Sequence, residues 1–215
     1  MNPVADRQLT FGPVTVRYGE QVLAPRPWTV LQARWAADVA PSLPPGRMLE
    51  LCSGAGHIGQ AVSSWSRRAL VQVDIDPLAC ALAEANAAAN GLAELVEVRC
   101  GDLEEVVGTT ERFPIVLADP PYLPSDDVDD WPDDPGLAID GGEDGLELAR
   151  TSLRVAADRV TSDGAVFLQA LGRGQVERLA DTIAEVQLAV DEVRSHDARR
   201  AVALLRPVPG SRSPG

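Results

Sequence analysis

Arg47-Met-Leu-Glu-Leu-Cys-Ser-Gly-Ala-Gly56 joins an apolar run to a glycine-rich turn. The run predicts a buried strand over Arg47–Leu51. Gly54 and Gly56 then allow a tight turn and let a ligand approach the backbone where a side chain would block it. Gly59 completes the spacing G-x-G-x-x-G, which joins a strand to a helix in nucleotide-binding folds. The stretch predicts an α/β fold with a ligand site where this strand ends.

Short apolar runs and helical patterns alternate along the following residues. Further strands are predicted over Leu70–Asp74, Leu95–Cys100, Ile115–Asp119 and Ala165–Ala170, and helices over Ile58–Trp65, Pro77–Asn90, Leu146–Val160 and Gln175–Val186. This order predicts a doubly wound, mostly parallel sheet with helices on both faces. Ala189–His196 and Ala201–Arg206 are separated only by Asp197–Arg200, which is too short for a parallel crossover. They therefore predict an antiparallel hairpin at one end of the sheet.

The segment ahead of this sheet predicts a small lid-like unit. Val14–Tyr18 and Gln21–Leu23 form a predicted hairpin, and a helix follows from Thr29 to about Ala40. Thr29 and Gln32 have the spacing of a capping box at the start of that helix. We divide the chain into an N-terminal hairpin and helix on the substrate side (1–45), a main domain (46–206) and a flexible tail (207–215).

Composition restricts the classes of function. Of 215 residues, 45% are hydrophobic and 24% are charged, so the chain can bury a sizeable core. The formal net charge is −13 and every basic residue is Arg, which argues against binding that depends on nucleic-acid phosphates or anionic lipid. The apolar stretches are too short for a membrane span, and no secretory leader is recognised, so we expect a cytoplasmic protein. Three cysteines without a C-x-x-C pair argue against a disulfide framework or a metal site.

Two acidic residues follow predicted strands at the edge where ligands bind. Asp74 ends the second strand, about 20 residues after the glycine turn, and its carboxylate can accept hydrogen bonds from ribose hydroxyls. Asp102 follows the third strand and can accept from an adenine amine, although Asp after a strand also serves as a helix N-cap. These residues predict a nucleoside-containing cofactor and leave NAD and S-adenosylmethionine open.

Asp119-Pro-Pro-Tyr122 leaves the fourth predicted strand. Because the two prolines lack N–H groups, the Asp119 carboxylate and the Pro120 carbonyl remain as acceptors. Two acceptors that face one way suit an NH₂ group, and Tyr122 offers a flat ring for a planar amide or base. We predict Asp119, Pro120 and Tyr122 as catalytic residues for chemistry on an amino nitrogen.

Residues 120–145 hold nine acidic residues and no basic ones. A loop of this length is either a functional lid or a solvated acidic segment. Trp28 and Trp131 flank the predicted substrate side. The basic pairs Arg67-Arg68 and Arg199-Arg200 are expected to be solvated surface.

These motifs together resemble class I S-adenosylmethionine-dependent methyltransferases with an [N/D]PPY motif. Among them, the chain is most similar to the HemK-like glutamine methyltransferases that modify peptide-chain release factors. The stretches that carry the likeness are Val22-Leu-Ala-Pro-Arg-Pro27, Glu50–Gly56 and Asp119–Arg150. Within the last, Tyr122-Leu-Pro-Ser-Asp126 and Leu137-Ala-Ile-Asp-Gly-Gly-Glu-Asp-Gly-Leu146 are specific to that family. The resemblance implies a seven-stranded Rossmann-like sheet with an antiparallel C-terminal strand, S-adenosylmethionine as cofactor and no metal.

The resemblance also assigns site residues. The cofactor site comprises Glu50, Cys52, Ser53, Gly54, Ala55, Gly56, Asp74, Ile75, Asp102, Leu103 and Asp119. The substrate site comprises Arg26, Pro27, Asp119, Pro120, Pro121 and Tyr122. His57 is expected to line the pocket or pack near it, because direct methyl transfer needs no histidine base.

Several departures from the family keep the acceptor open. Asp119 stands where the family usually has Asn, and Trp28-Thr29 stand where it has Glu-Thr. We expect no N-terminal helical recognition domain ahead of Val14, so a small partner subunit is one hypothesis. A protein glutamine ranks first as acceptor, followed by a small-molecule amine and then an RNA or DNA base. A non-catalytic cofactor-binding protein and an NAD-dependent reductase are the remaining alternatives.

Overall fold

The computed structural model describes residues 6–210, whose centre is a seven-stranded sheet. Its strands are β3 (Met48–Leu51), β4 (Leu70–Asp74), β5 (Val96–Cys100), β6 (Phe113–Ala118), β7 (Val160–Ala170), β8 (Leu188–Asp197) and β9 (Arg200–Pro207). The order is β5-β4-β3-β6-β7-β9-β8, with the first five parallel and β9 antiparallel to both neighbours. The predicted doubly wound sheet with an antiparallel end is confirmed.

Helices cover both faces of this sheet. They are α1 (Val30–Val39), α2 (His57–Ser66), α3 (Pro77–Ala89), α4 (Leu103–Val106), α5 (Gly136–Ile139), α6 (Glu147–Arg159), α7 (Gly172–Arg178) and α8 (Ala180–Glu185). Met48 packs in the apolar cluster that includes α1 to α3, whereas Leu49 and Leu51 pack in the cluster that includes α6 to α8. Alternate residues of β3 are thus buried on opposite faces, as expected for a central parallel strand.

The N-terminal hairpin has a different partner from the predicted one. β2 (Val14–Tyr18) pairs with β1 (Arg7–Phe11), and Gln21–Leu23 form no strand, so the predicted return strand is wrong. Asn86 and Asn90 on α3 explain the difference. Their side-chain amides bond both backbone groups of Arg17 and Thr15, at 2.8–2.9 Å. The remaining hydrogen-bonding edge of β2 is therefore satisfied by α3 rather than by a third strand.

The predicted capping box at the start of α1 is also wrong. The Thr29 hydroxyl donates to the Arg26 carbonyl at 2.8 Å and makes no cap. Gln32 is buried, and its Nε2 donates to the carbonyls of Ala118 and Phe167 at 3.0 and 2.9 Å. Because those carbonyls lie in β6 and β7, Gln32 fixes α1 to the sheet just beneath the Asp-Pro-Pro-Tyr segment.

The acidic segment and the C-terminal region contain more structure than predicted. Within residues 120–145, a 3₁₀ helix covers Ser125–Asp130, α5 follows, and a bridge joins Leu123 to Asp140. The helix predicted over Gln175–Val186 is two helices, α7 and α8. The tail predicted from residue 207 begins within β9, and its residues 211–215 lie outside the described residues.

Replacing Gly172 with Ala should lower the free energy of unfolding by about 1–3 kcal/mol. Gly172 has φ +71°, and an added Cβ would lie 2.9 Å from the Ala198 carbonyl oxygen in the β8–β9 turn. Gly174, on the same helix, has open space around an added Cβ, so Gly174→Ala is the matched control. Urea denaturation of both variants measures the difference. Equal stabilities would contradict this account of the contact.

Candidate functional site

Two adjoining cavities lie at the carboxyl edge of the parallel strands. The large cavity has a volume of about 590 Å³, and the small pocket has a volume of about 70 Å³. Residues that line both are Leu23, Arg26, Asp119, Pro121 and Ala138. Asp119 therefore stands at the junction of the two spaces, directly after β6.

The glycine turn borders the large cavity with an open backbone. Gly54 has φ +52°, and no protein atom lies within 4 Å of the position that its Cβ would occupy. Cys52 and Ser53 line the same wall. Ala55 is buried, and neither it nor Gly56 lines the cavity, so these two residues shape the turn from behind.

Glu50 lies beneath the turn rather than in the large cavity. Its buried carboxyl accepts from the Gly59 backbone N–H at 3.1 Å and from the Gln72 side-chain amide. Gln72 also donates to the Gly56 carbonyl at 3.1 Å. Burial raises the pKa of Glu50 to about 8. The acid thus supports the glycine turn, mostly protonated at neutral pH, and makes no contact with the cavity.

The free energy of unfolding should fall as the pH rises from 6.5 to 8. The folded chain keeps the Glu50 proton up to the raised pKa of about 8, whereas the unfolded chain loses it near 4.5. The folded state therefore binds more protons in this window, and stability falls with pH. Below pH 6.5, His57 has the opposite effect on the free energy of unfolding. Burial lowers the pKa of His57 to about 3, so only the unfolded chain binds this proton, and its contribution to stability rises with pH there.

Asp119, whose pKa burial raises to about 7, adds a slope of the same sign near the lower end of this window. Urea denaturation between pH 6.5 and 8 measures the combined slope, and Glu50→Gln should reduce it, most clearly above pH 7. The exposed Glu97 has a pKa lowered mainly by its hydrogen bond to Arg99, so Glu97→Gln is the control and should keep the wild-type slope. A slope that Glu50→Gln leaves intact would rule out Glu50 as its source.

Asp74 lies on the wall of the large cavity and is oriented by the backbone. Its Oδ2 accepts from Gly54 N–H at 2.7 Å and its Oδ1 from Asp76 N–H at 3.0 Å. Burial raises the pKa of this carboxyl. Each carboxylate oxygen can accept more than one hydrogen bond, so both can also receive hydroxyl donors from a ligand.

Two buried polar atoms by the large cavity have no partner among the described residues. They are Ser53 Oγ and His57 Nδ1, and both residues line the cavity. His57 Nε2 lies 3.3 Å from Thr29 Oγ1, whose hydrogen is directed to the Arg26 carbonyl. This contact favours the tautomer with the proton on Nε2, in which Nδ1 is an acceptor. One free donor and one free acceptor fit a ligand that carries both an ammonium and a carboxylate group.

Asp102 and two apolar side chains line the far wall of the large cavity. Asp102 Oδ1 accepts from Glu104 N–H at 2.8 Å and so caps α4, while the residue also lines the cavity. Ile75 is 58% exposed, and both Ile75 and Leu103 line the cavity. Exposed isoleucine on a cavity wall suits the face of a flat ligand group. Pro27, in contrast, lines neither cavity.

Asp119 is a half-buried carboxyl without hydrogen-bond donors among the described residues. Burial raises its pKa to about 7, and the Arg26 guanidinium opposes this shift. In residues 6–210, no group donates a hydrogen bond to its carboxylate. Pro120, Pro121 and Tyr122 line the small pocket next to it. The geometry leaves Asp119 free to accept from a ligand at the junction of the cavities.

Arg199 and Arg200 both line the small pocket. Arg199 is exposed, as expected, whereas the prediction that Arg200 lies on solvated surface is wrong. Arg200 is partly buried, pairs with Asp197 at 2.7 Å, and its Cζ lies 3.8 Å from the Trp28 ring centroid. The antiparallel pairing of β9 with β7 brings this turn back to the carboxyl edge.

Gln175 is a second residue that the sequence analysis missed. Its Nε2 donates to the carbonyls of Tyr122 and Gly145 at 3.1 and 3.0 Å, and its Oε1 accepts from Leu171 N–H at 2.7 Å. It therefore fixes the Asp-Pro-Pro-Tyr segment and the end of the acidic segment to the start of α7. Trp131 lies on the small pocket, as expected for a residue on the substrate side.

Residues 6–210 contain neither a candidate metal site nor a candidate membrane span. No group of three or more His, Cys, Asp or Glu side chains there could hold a metal ion. None of the helices in that range has the length and apolar character needed to cross a bilayer.

Comparisons relate the chain to known proteins. Residues 37–130 match the family model described as Methyltransferase small domain. The chain is 34% identical over 134 residues to the ribosomal protein uL3 glutamine methyltransferase of Bradyrhizobium diazoefficiens, which covers 60% of this chain and 41% of that one. It is 32% identical over 172 residues to the release factor glutamine methyltransferase of Corynebacterium glutamicum, which covers 74% and 59%.

A solved structure shares the fold. The ribosomal protein L11 methylase of Lactobacillus delbrueckii subsp. bulgaricus aligns with a TM-score of 0.66 at 16% identity, covering 86% of this chain and 82% of that one. At this identity the likeness concerns the fold alone. The chain spans about half the length of the two curated relatives.

Proposed function

We propose that this chain transfers a methyl group from S-adenosylmethionine to the side-chain amide nitrogen of a protein glutamine, as the match of residues 37–130 to the family model Methyltransferase small domain supports. The observation that carries the proposal is the position of Asp119. Its carboxylate lies between a cavity large enough for a nucleoside cofactor and a small pocket for an acceptor group.

The large cavity has the groups that S-adenosylmethionine needs. Asp74 would bind the ribose hydroxyls, and Asp102 the adenine amine, with Ile75 and Leu103 against the base. The open backbone at Gly54 and the free atoms of Ser53 and His57 would hold the amino-acid end. When bound, the cofactor supplies a methyl group on a positively charged sulfur. We assign Glu50, Ala55 and Gly56 to support of the turn.

The small pocket would orient the acceptor nitrogen. The Asp119 carboxylate and the Pro120 carbonyl accept its two N–H groups, which turns the nitrogen lone pair away from them. Orientation in a dry site with fixed dipoles supplies most of the rate enhancement. The nitrogen loses one proton when it is methylated. Asp119 is the group placed to accept that proton, since its raised pKa of about 7 makes it a stronger base than an exposed carboxylate.

A small-molecule amine is the second candidate acceptor. A carboxylate at position 119 accepts from an amine as readily as from an amide, and it would stabilise a nitrogen that becomes cationic. A nucleic-acid base is disfavoured by the net charge of −13.

The two units of the chain would have separate roles. Residues 1–45 act as a substrate-side lid, because Arg26 and Trp28 border the small pocket, and residues 46–206 carry the transfer reaction. The protein is cytoplasmic, and its acceptor is a protein of translation, as the names of the two curated relatives suggest. A small partner subunit would complete acceptor recognition.

Methyl transfer from labelled cofactor to purified class 1 release factor and to ribosomal protein uL3 tests the proposal. Wild-type protein should label a glutamine in one of them. Asp126→Ala, a change in the acidic segment outside both cavities, is the control and should label equally well. Label on small amines and on neither protein would replace glutamine with the second candidate.

A further inference from the structure

Six side chains with hydrogen-bond donors line the small pocket with Asp119, and Arg199 and Trp131 are two of them. The other four are Arg26, Trp28, Tyr122 and Arg200, which we call the donor wall. Both guanidiniums lie against the Trp28 ring, with Cζ-to-centroid distances of 5.6 Å for Arg26 and 3.8 Å for Arg200. Burial and the Asp119 charge raise the pKa of Tyr122 to about 12, so its hydroxyl remains a donor.

Not all of these donors are used within the protein. Arg26 is paired with Asp134, whereas Arg200 pairs with Asp197 through Nη1 alone among the described residues. The Trp28 indole N–H is buried and lies beside the Tyr122 hydroxyl, outside full hydrogen-bond geometry. The remaining N–H groups of Arg200 are therefore the donors most open to an acceptor atom brought by a ligand.

We propose that Arg200, together with Trp28, binds the carbonyl oxygen of the acceptor and thereby selects a carboxamide over an amine. The inference rests on the proposed function, and it concerns the carbonyl oxygen of the acceptor amide, which Asp119 does not bind. A carboxamide carries two N–H donors and one oxygen acceptor. Asp119 and the Pro120 carbonyl match the donors, and the donor wall matches the oxygen. An amine has no such oxygen and leaves these partly buried donors without a ligand acceptor, and a site built to hydrogen-bond a group rejects the analogue that lacks it.

Two peptides separate these alternatives. The first spans the methylated glutamine of the accepted protein, and the second carries ornithine at that position. Ornithine places its nitrogen the same number of bonds from the backbone and lacks the carbonyl oxygen. Calorimetry gives the Kd of each peptide without methyl transfer, and initial rates give KM and kcat.

Arg200→Met removes the donors and keeps a long side chain. It should raise the Kd and KM of the glutamine peptide at least tenfold and leave the ornithine peptide unchanged or more tightly bound. Arg200→Lys should restore part of the lost affinity. Arg194→Met is the matched control, because Arg194 lies on the same hairpin but lines neither cavity. Like Arg200, Arg194 pairs with an acidic residue, Glu192 at 2.8 Å, and stacks on a tryptophan, with its Cζ 4.1 Å from the ring centroid of Trp35.

The outcomes distinguish this inference from the proposed function. If wild-type protein methylates glutamine but Arg200→Met binds both peptides as before, the inference is overturned and the proposed function stands. Equal losses in Arg194→Met and Arg200→Met would also overturn it, since they would indicate a structural role for the hairpin. If wild-type protein methylates no glutamine, the proposed function fails and the inference fails with it.

Discussion

Asp119→Ala is expected to lower kcat/KM for the methyl acceptor by about 10²–10³-fold, the usual cost of removing one preorganised polar group from the reacting centre. The substitution removes the carboxylate that accepts the nitrogen's hydrogens and its leaving proton. The Kd of the cofactor should change much less, because Asp74 and the glycine turn, which also line the large cavity, are the groups proposed to bind the ribose and the amino-acid end. Initial rates and calorimetry on the same preparation give both quantities.

Asp119→Asn is the matched variant for the charge. It keeps an oxygen acceptor but cannot ionise. Because burial raises the pKa of Asp119 to about 7, wild-type activity should rise with pH up to about 7 and then level off. The Asn variant should lose that dependence. Full activity in Asp119→Ala with normal cofactor binding would show that the reacting nitrogen is held elsewhere.

Asp74→Ala should weaken binding of S-adenosylmethionine by about 100-fold or more, since hydrogen bonds to a charged group contribute about 1.5–3 kcal/mol each. The carboxylate would bind the ribose and also holds the Gly54 backbone N–H at 2.7 Å. Asp74→Asn keeps one oxygen acceptor and should bind with intermediate affinity. Calorimetric titration with S-adenosylmethionine measures both variants.

A thermal unfolding curve is recorded for each Asp74 variant, because Asp74 also holds the glycine turn and its loss could unfold the protein. A cofactor Kd that Asp74→Ala leaves within a few-fold of wild type would exclude the ribose assignment. A variant that is unfolded at the titration temperature is replaced in the comparison by Asp74→Asn, whose amide can still accept from Gly54.

The sheet was predictable from sequence because its central strands are short and mostly apolar. Phe113–Ala118 is apolar and buried throughout, and Leu70–Asp74 is apolar except for Gln72 and Asp74. Helix patterns separate most of the predicted strands from one another. Strand β1 was not predictable in the same way. Its sequence Arg-Gln-Leu-Thr-Phe is half polar, and its partner β2 is bonded on the other edge by Asn86 and Asn90 from a helix about 70 residues later.

The candidate site was predictable where it depends on strand ends. Asp74 and Asp119 follow buried strands of one parallel sheet, so they reach the same edge, and the structure brings both to the large cavity. The sequence did not separate residues in front of the glycine turn from those behind it. Glu50 lies behind it because Gly59 and Gln72 hold its carboxyl beneath the backbone.

Residues that act across the fold left no local signal. Arg200 follows a polar turn and has the pattern of solvated surface, yet the pairing of β9 with β7 places it over Trp28. Gln32 fits a capping box by spacing, but two carbonyls of the sheet bind its amide instead. In both cases the role of the side chain depends on a contact with a residue distant in sequence, and that contact is seen only when the strands of the sheet are in place.

The most direct test of the account is to locate the transferred methyl group. Class 1 release factor and ribosomal protein uL3 are each incubated with wild-type protein and S-adenosylmethionine, and the products are sequenced by tandem mass spectrometry. The account predicts one added methyl on the side-chain nitrogen of a single glutamine, absent when Asp119→Ala is used. A methyl group on a lysine, an arginine or a chain terminus, or none on either protein, would contradict it.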